Sequence, residues 1–278
     1  MTLLALVTLF GVGIAVGVVS GLLGIGGGVL IVPFLYFFYE HGSWSGTALA
    51  PALHAAVAHA TSLFIILPTA IRGTLTYNHA GLVAWQAALP IGAASVVAAI
   101  AGASAATVVA PEVLKLSFGI VLLVSGLRML RGRAHDAATH PERLTLSRTI
   151  PTGLAVGAFS ALMGVGGGIV AIPLLVHVVG IELRKVAATS LAIMVLAAAA
   201  GVITYAVQGM GEPGLPSFSL GYIHFLAALP ILATSLLAVG AGVALNRQMA
   251  TPALRVLFGL VFVLLGLRLI WQNLMLVL

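Results

Sequence analysis

The chain has 278 residues, of which 61% are hydrophobic and only 6% charged, with a mean hydropathy of +1.21. Soluble domains carry about 25% charged residues, so this chain cannot cover a water-facing surface, and its recurrent apolar runs of about twenty residues mark a polytopic helical membrane protein. It lacks the alternating segments of about ten residues that build a β-barrel, and the absence of cysteine excludes a disulfide scaffold, thiol catalysis and iron–sulfur chemistry.

The formal net charge is +6, from twelve Lys and Arg against six Asp and Glu. Five of the basic residues lie between Arg128 and Arg148. That clustering is a topology signal. No aromatic-interleaved basic face is present, so no nucleic acid is expected. Met1-Thr2-Leu3-Leu4 has no basic stretch ahead of its apolar run, so the first segment is expected to belong to the mature protein.

In chain order, the first predicted element is a glycine-interrupted apolar stretch, Leu3–Phe38, containing Ser20, Gly24, Gly26, Gly27, Gly28 and Pro33. The second, Ala58–Tyr77, carries His59, Thr61, Ser62 and Arg72. The third is Trp85–Ala105 and the fourth Val113–Leu130. A polar linker follows, and then the same four elements return as Ile150–Val179, Ala187–Tyr205, Tyr222–Leu245 and Ala253–Trp271. Val16–Leu35 and Val156–Leu175 agree at ten of twenty positions at an offset of 140, including Ser20/Ser160, Gly24/Gly164, the two Gly triplets and Pro33/Pro173. The offset becomes 128 for Ala60-Thr61-Ser62-Leu63 against Ala188-Thr189-Ser190-Leu191 and for Thr76-Tyr77 against Thr204-Tyr205. It returns to 140 for Ala87-Ala88-Leu89-Pro90-Ile91 against Ala227-Ala228-Leu229-Pro230-Ile231. The expected organisation is repeat 1 over 1–130, a cytoplasmic linker over 131–149 and repeat 2 over 150–278, together one transmembrane domain.

The first element is too long for one crossing of about twenty residues and tight for two. Its Gly-x-Gly-Gly-Gly centre is incompatible with unbroken helix, since each Gly costs about 1 kcal/mol relative to Ala. It either crosses once, broken, or folds back as a hairpin. If it folds back, the two repeats are inverted, and ten basic residues face the cytoplasm while Lys115 and Arg268 face out. A single crossing makes the split seven to five. The positive-inside rule favours the hairpin. The expected fold is therefore all-α and polytopic, with two inverted repeats. Each repeat is a glycine-broken hairpin plus three transmembrane helices, about eight to ten segments in total.

Irregular backbone survives at membrane depth only where it is buried or lines a cavity. A broken helix exposes N–H groups at the start of its second piece, where the dipole also favours an anion. The expected substrate-binding set is thus Ser20, Gly24, Gly26, Gly27 and Gly28 with Ser160, Gly164, Gly166, Gly167 and Gly168, joined by Thr61, Ser62, Thr189 and Ser190. Each group has a plainer alternative. Small residues pack helices closely, and membrane hydroxyls often bond their own i−4 carbonyl. His59, whose repeat mate is Ala187, is a candidate coupling group because imidazole titrates near neutral pH. Arg72 is a candidate anion contact, or a side chain snorkelling to the interface. Tyr77, Tyr205 and Trp271 are expected to mark interfaces.

Enzyme signatures are missing: there is no H-E-x-x-H and no pair of acidic residues inside an apolar segment. Glu40, Glu112, Glu182 and Glu212 fall at loop edges. A site of N–H and hydroxyl donors without carboxylates suits an anion. No enzyme activity, cofactor or metal is expected.

The segments from Ser20 to Pro33 and from Ser160 to Pro173, each followed downstream by Ala-Thr-Ser-Leu, resemble the TauE/SafE family. The resemblance covers essentially the whole chain. It implies a bacterial or archaeal inner-membrane transporter of sulfite, sulfoacetate or another organosulfonate, exporting it by alternating access. An anion channel and an uptake permease are the alternatives. The expected partners are the bilayer and a small anion, with a homodimer as an open option. The topology is testable with reporter fusions: both termini should read extracytoplasmic and the 131–149 linker cytoplasmic, and two cytoplasmic termini would reject the inverted arrangement.

Overall fold

A chain in lipid must satisfy its backbone hydrogen bonds within itself. The computed structural model describes residues 2–42, 49–106, 111–131 and 144–277, and nearly all of them are helical. The helices of the first half are α1 (Leu3–Leu23), α2 (Gly28–Glu40), α3 (His54–Asn78, led in by a 3-10 turn at Pro51–Leu53), α4 (Trp85–Ala106) and α5 (Pro111–Arg131). Those of the second are α6 (Leu146–Met163), α7 (Gly168–Leu174, prolonged by a π turn over Leu175–Val179), α8 (Leu183–Gln208), α9 (Phe225–Gln248) and α10 (Thr251–Val277). Among the described residues, five helices are long and apolar enough to cross a bilayer: α1, α3 with its lead-in turn, α4, α8 and α9. The protein is an all-α polytopic membrane protein.

Several element boundaries depart from the sequence reading: α3 and α8 begin four residues before the expected Ala58 and Ala187, and α10 runs to Val277 rather than Trp271. The sixth helix begins at Leu146, four residues before the expected Ile150, and Arg148 in its first turn donates to the Val178 carbonyl at 2.9 Å. Most of the expected linker, residues 132–143, lies outside the described residues. The ninth helix begins at Phe225 rather than Tyr222. Ile223–His224 (β2) pairs antiparallel with Ser219–Leu220 (β1) in a small hairpin turned at Gly221, where φ is +53°. Periodicity over an apolar run does not reveal so short a strand pair.

The halves are interlocked. Each first helix lies along the third helix of the other half: α1 on α9, and α6 on α4. The second helices, α3 and α8, pack on each other at the centre, and α5 packs on α10. Without a hydrophobic drive between helices in lipid, such contacts depend on close van der Waals approach through small residues. Gly17 faces the Ser235 backbone, and its repeat mate Gly157 faces the Ser95 backbone. A Cβ at either position would collide with main chain that cannot yield. Gly240, on α9, has open space around it.

The contrast predicts unequal substitutions. Gly17→Val should displace α1 from α9 and lower stability by about 1–3 kcal/mol or more. Gly240→Val should behave as the parent protein. Thermal unfolding and the monodisperse fraction on size exclusion in detergent read both.

Candidate functional site

At the end of α1 the chain turns on three glycines. Gly24 adopts φ +68° and donates its N–H to the Ser20 carbonyl at 2.8 Å. Gly26 and Gly27 follow at φ +77° and +76°. Three left-handed residues within four positions are accessible only to glycine. Gly27 lies against Val16, so the chain has doubled back along α1 before α2 begins. The second half repeats the turn: Gly164, Gly166 and Gly167 have φ +67°, +75° and +78°, and Gly167 lies against Val156.

The two tips meet. A Cβ at Gly28 would fall 2.5 Å from the Val165 Cα, and one at Gly168 would fall 2.5 Å from the Ile25 Cα. Gly26 and Gly166 both face the same two side chains, Ile66 of α3 and Met194 of α8. Gly24 sits against Ala187 and Gly164 against its mate, His59. Among the described residues, the N–H groups of Gly26, Gly27, Gly166 and Gly167 have no hydrogen-bond acceptor. These donors stand at the positive ends of α2 and α7.

The hydroxyls separate into two classes. Ser20, Ser62, Ser160 and Ser190 are fully buried, and none of their Oγ atoms has a partner among the described residues. A buried hydroxyl left unpaired costs about 1–3 kcal/mol, and these four serines form two repeat-related pairs, Ser20 with Ser160 and Ser62 with Ser190. Ser62 and Ser190 stand one helical turn before Ile66 and Met194, and Ser20 and Ser160 one turn before Gly24 and Gly164. Thr61 and Thr189 are engaged elsewhere. The Thr61 Oγ1 accepts the His224 N–H at 3.0 Å, and the Thr189 Oγ1 accepts the Ala84 N–H at 3.1 Å. Each threonine thereby holds the start of the third helix of the opposite half.

Tyr77 and Tyr205 are not interface markers. Both are fully buried. Tyr77 donates to the Gly21 carbonyl at 2.7 Å and Tyr205 to the Ala161 carbonyl at 2.9 Å, equivalent positions in the last turns of α1 and α6. Breaking a helix frees its final carbonyls, and these phenols satisfy one on each side. Asn246 satisfies a further one, Leu22, at 2.6 Å. The repeated Thr-Tyr pair at offset 128 marks both tyrosines in the sequence, but an aromatic hydroxyl at the end of an apolar run looks the same there whether it meets an interface or a buried carbonyl. Trp271 is 70% exposed, in keeping with an outward-facing position.

His59 is buried, and its Nε2 lies 2.6 Å from the Tyr36 hydroxyl. Arg72 is exposed on α3 and is not brought to the tips. The acidic side chains that are described, Glu40, Glu182 and Glu212, are all exposed. The tips therefore carry neutral donors without a nearby described carboxylate.

The two hydroxyl classes predict opposite effects at adjacent positions. Thr61→Val and Thr189→Val should each destabilise the protein by about 0.5–2 kcal/mol, the range for a lost helix-start contact. Ser62→Ala and Ser190→Ala should leave stability unchanged or slightly raised. Thermal unfolding of the four purified variants in detergent checks the ordering.

Comparison with known proteins covers the same span as the paired tips. The family model described as sulfite exporter TauE/SafE matches residues 9–269. A probable membrane transporter protein of Methanocaldococcus jannaschii is 28% identical over 271 residues, 95% of each chain. One from Haemophilus influenzae is 26% identical, covering 92% of this chain and 95% of its own. One from Bacillus subtilis is 25% identical, covering 97% and 99%. No solved structure matches the chain. With the family model spanning both glycine tips and every helix between them, the chain belongs to the TauE/SafE family.

Proposed function

We propose that this protein is a secondary transporter that moves a small sulfur oxyanion or organosulfonate across the cytoplasmic membrane, binding it at the paired glycine tips. The observation that carries this reading is the set of four buried, unpartnered serine hydroxyls beside two sets of unaccepted N–H groups. Neutral donors in a dry site bind an anion without the desolvation cost of a buried cation. The relatives are named probable membrane transporter proteins, and the family description names sulfite. Transport rather than chemistry is the function such a site serves.

Repeats related by inversion give a transporter two nearly equivalent conformations, one open to each side. In the hairpin topology both tips end at one central level, and rocking one set of helices against the other exposes that level alternately. The membrane potential favours outward movement of an anion by about 2.3 kcal/mol per charge per 100 mV. Export is accordingly the direction proposed.

Proteoliposomes loaded with labelled sulfite, thiosulfate, sulfoacetate or sulfate test the reading. At least one anion should move faster than from protein-free vesicles. Ser20→Ala and Ser160→Ala should each weaken its apparent affinity by about three- to tenfold, equivalent to a lost hydrogen bond of roughly 0.5–1.5 kcal/mol. Gly27→Ala, forced to φ +76° against Val16, should abolish flux. Unchanged flux in the Gly27 variant would reject the tips as the site.

A further inference from the structure

The two halves match closely at the tips but differ where the second helices meet the third. A cavity of about 230 Å³ lies among α3, α4 and α8. Ile71 and Leu75 form its wall on α3, Trp85 and Leu89 on α4, and Ala192 and Leu196 on α8. Thr74 is the one lining residue outside the apolar class. An apolar cavity of about 150 Å³ already takes up a benzene ring, so this one has room for a hydrocarbon ligand.

The cavity opens on one side. Ile71, Leu75, Trp85 and Leu89 are each between 41% and 57% exposed, whereas Ala192 at the back is buried. The three helices are long and apolar enough to cross a bilayer, so the mouth faces hydrocarbon. It lies near one end of the spans, because Leu75 is close to the end of α3 and Trp85 begins α4. Trp85 is fixed at the rim, its Nε1 donating to the Asn78 Oδ1 at 2.8 Å.

The other half shows what fills the equivalent space. Ala192 corresponds to Phe64 at offset 128, and Trp85 corresponds to Phe225 at offset 140. Phe64 and Phe225 meet edge to face, with centroids 5.2 Å apart. There the protein supplies its own ring. On the cavity side Ala192 ends at Cβ, and the space in front of Trp85 stays open.

We propose that one acyl chain of a membrane phospholipid occupies this slot, in the place that Phe64 takes in the other half. Apolar walls hold no water, and an empty slot forfeits the dispersion contacts of its lining. The bilayer presents hydrocarbon chains directly to the mouth, and a chain supplies those contacts. The slot is backed by the α8 segment whose Met194 faces both glycine tips, so the chain also supports one wall of the candidate site. The inference rests on membrane residence and not on the transport reading.

The test is quenching of Trp85 fluorescence by a phospholipid with brominated acyl chains, added to purified full-length protein in detergent. Trp44→Phe with Trp271→Phe leaves Trp85 as the only indole. A second protein, Trp44→Phe with Trp85→Phe, keeps the exposed Trp271 and reports general partition of lipid into the micelle. Quenching of Trp85 should saturate, at a half-point about tenfold or more below that of Trp271. Ala192→Phe, which copies the other half, should raise the Trp85 half-point to the Trp271 value. Ala192→Leu fills less of the slot and should give an intermediate shift, and it carries the test if the Phe variant does not fold. Quenching of Trp85 that runs parallel to that of Trp271 overturns the proposal. An unchanged half-point in the folded Ala192 variants does the same. Trp85 shielded from lipid in a protein that elutes as a dimer would assign this face to a second copy of the chain and also overturn it.

Discussion

Two helix breaks that lean on each other at the centre of the molecule set the rest of the architecture. A broken helix strands carbonyls on one side and N–H groups on the other, and in lipid neither is solvated. The carbonyls of α1 and α6 are met by Tyr77, Tyr205 and Asn246, side chains delivered from α3, α8 and α9. The N–H groups of Gly26, Gly27, Gly166 and Gly167 find no acceptor among the described residues. Because each tip packs on the other through Gly28 against Val165 and Gly168 against Ile25, neither can relax into continuous helix without displacing its mate.

That contact forces the two halves to be built into each other. The first helix of each half finds its neighbour in the other half, α1 on α9 and α6 on α4. Thr61 and Thr189 fasten the starts of those partner helices across the same boundary. The serine beside each threonine has no hydrogen-bond partner among the described residues. One helical position thus separates a hydroxyl that holds the scaffold from a hydroxyl with no bond among the described residues. On a helix, adjacent residues point about 100° apart, which is enough to give neighbours these two roles.

Much of this was legible in the chain. The glycine breaks, their duplication and the buried hydroxyls follow from composition and internal repetition, because backbone rules act locally: left-handed φ values in succession admit only glycine. The roles of Thr61 and Tyr77 were not legible. A hydroxyl next to a candidate site residue looks the same in sequence whether it faces a ligand or a neighbouring backbone. Tyr at the end of an apolar run is common at interfaces, and only burial distinguishes Tyr77 from Trp271.

The sequence by itself determined membrane residence, helical class, the duplicated unit and the positions of the two backbone breaks, since hydropathy, period and glycine placement are properties of neighbouring residues. Only the tertiary structure decided that the tips touch, that the halves interlock, which hydroxyls are already bonded and where the symmetry is broken. Those depend on which helix packs on which, and in a bilayer, where every helix is similarly apolar, close-packing shape rather than hydrophobicity selects the partner.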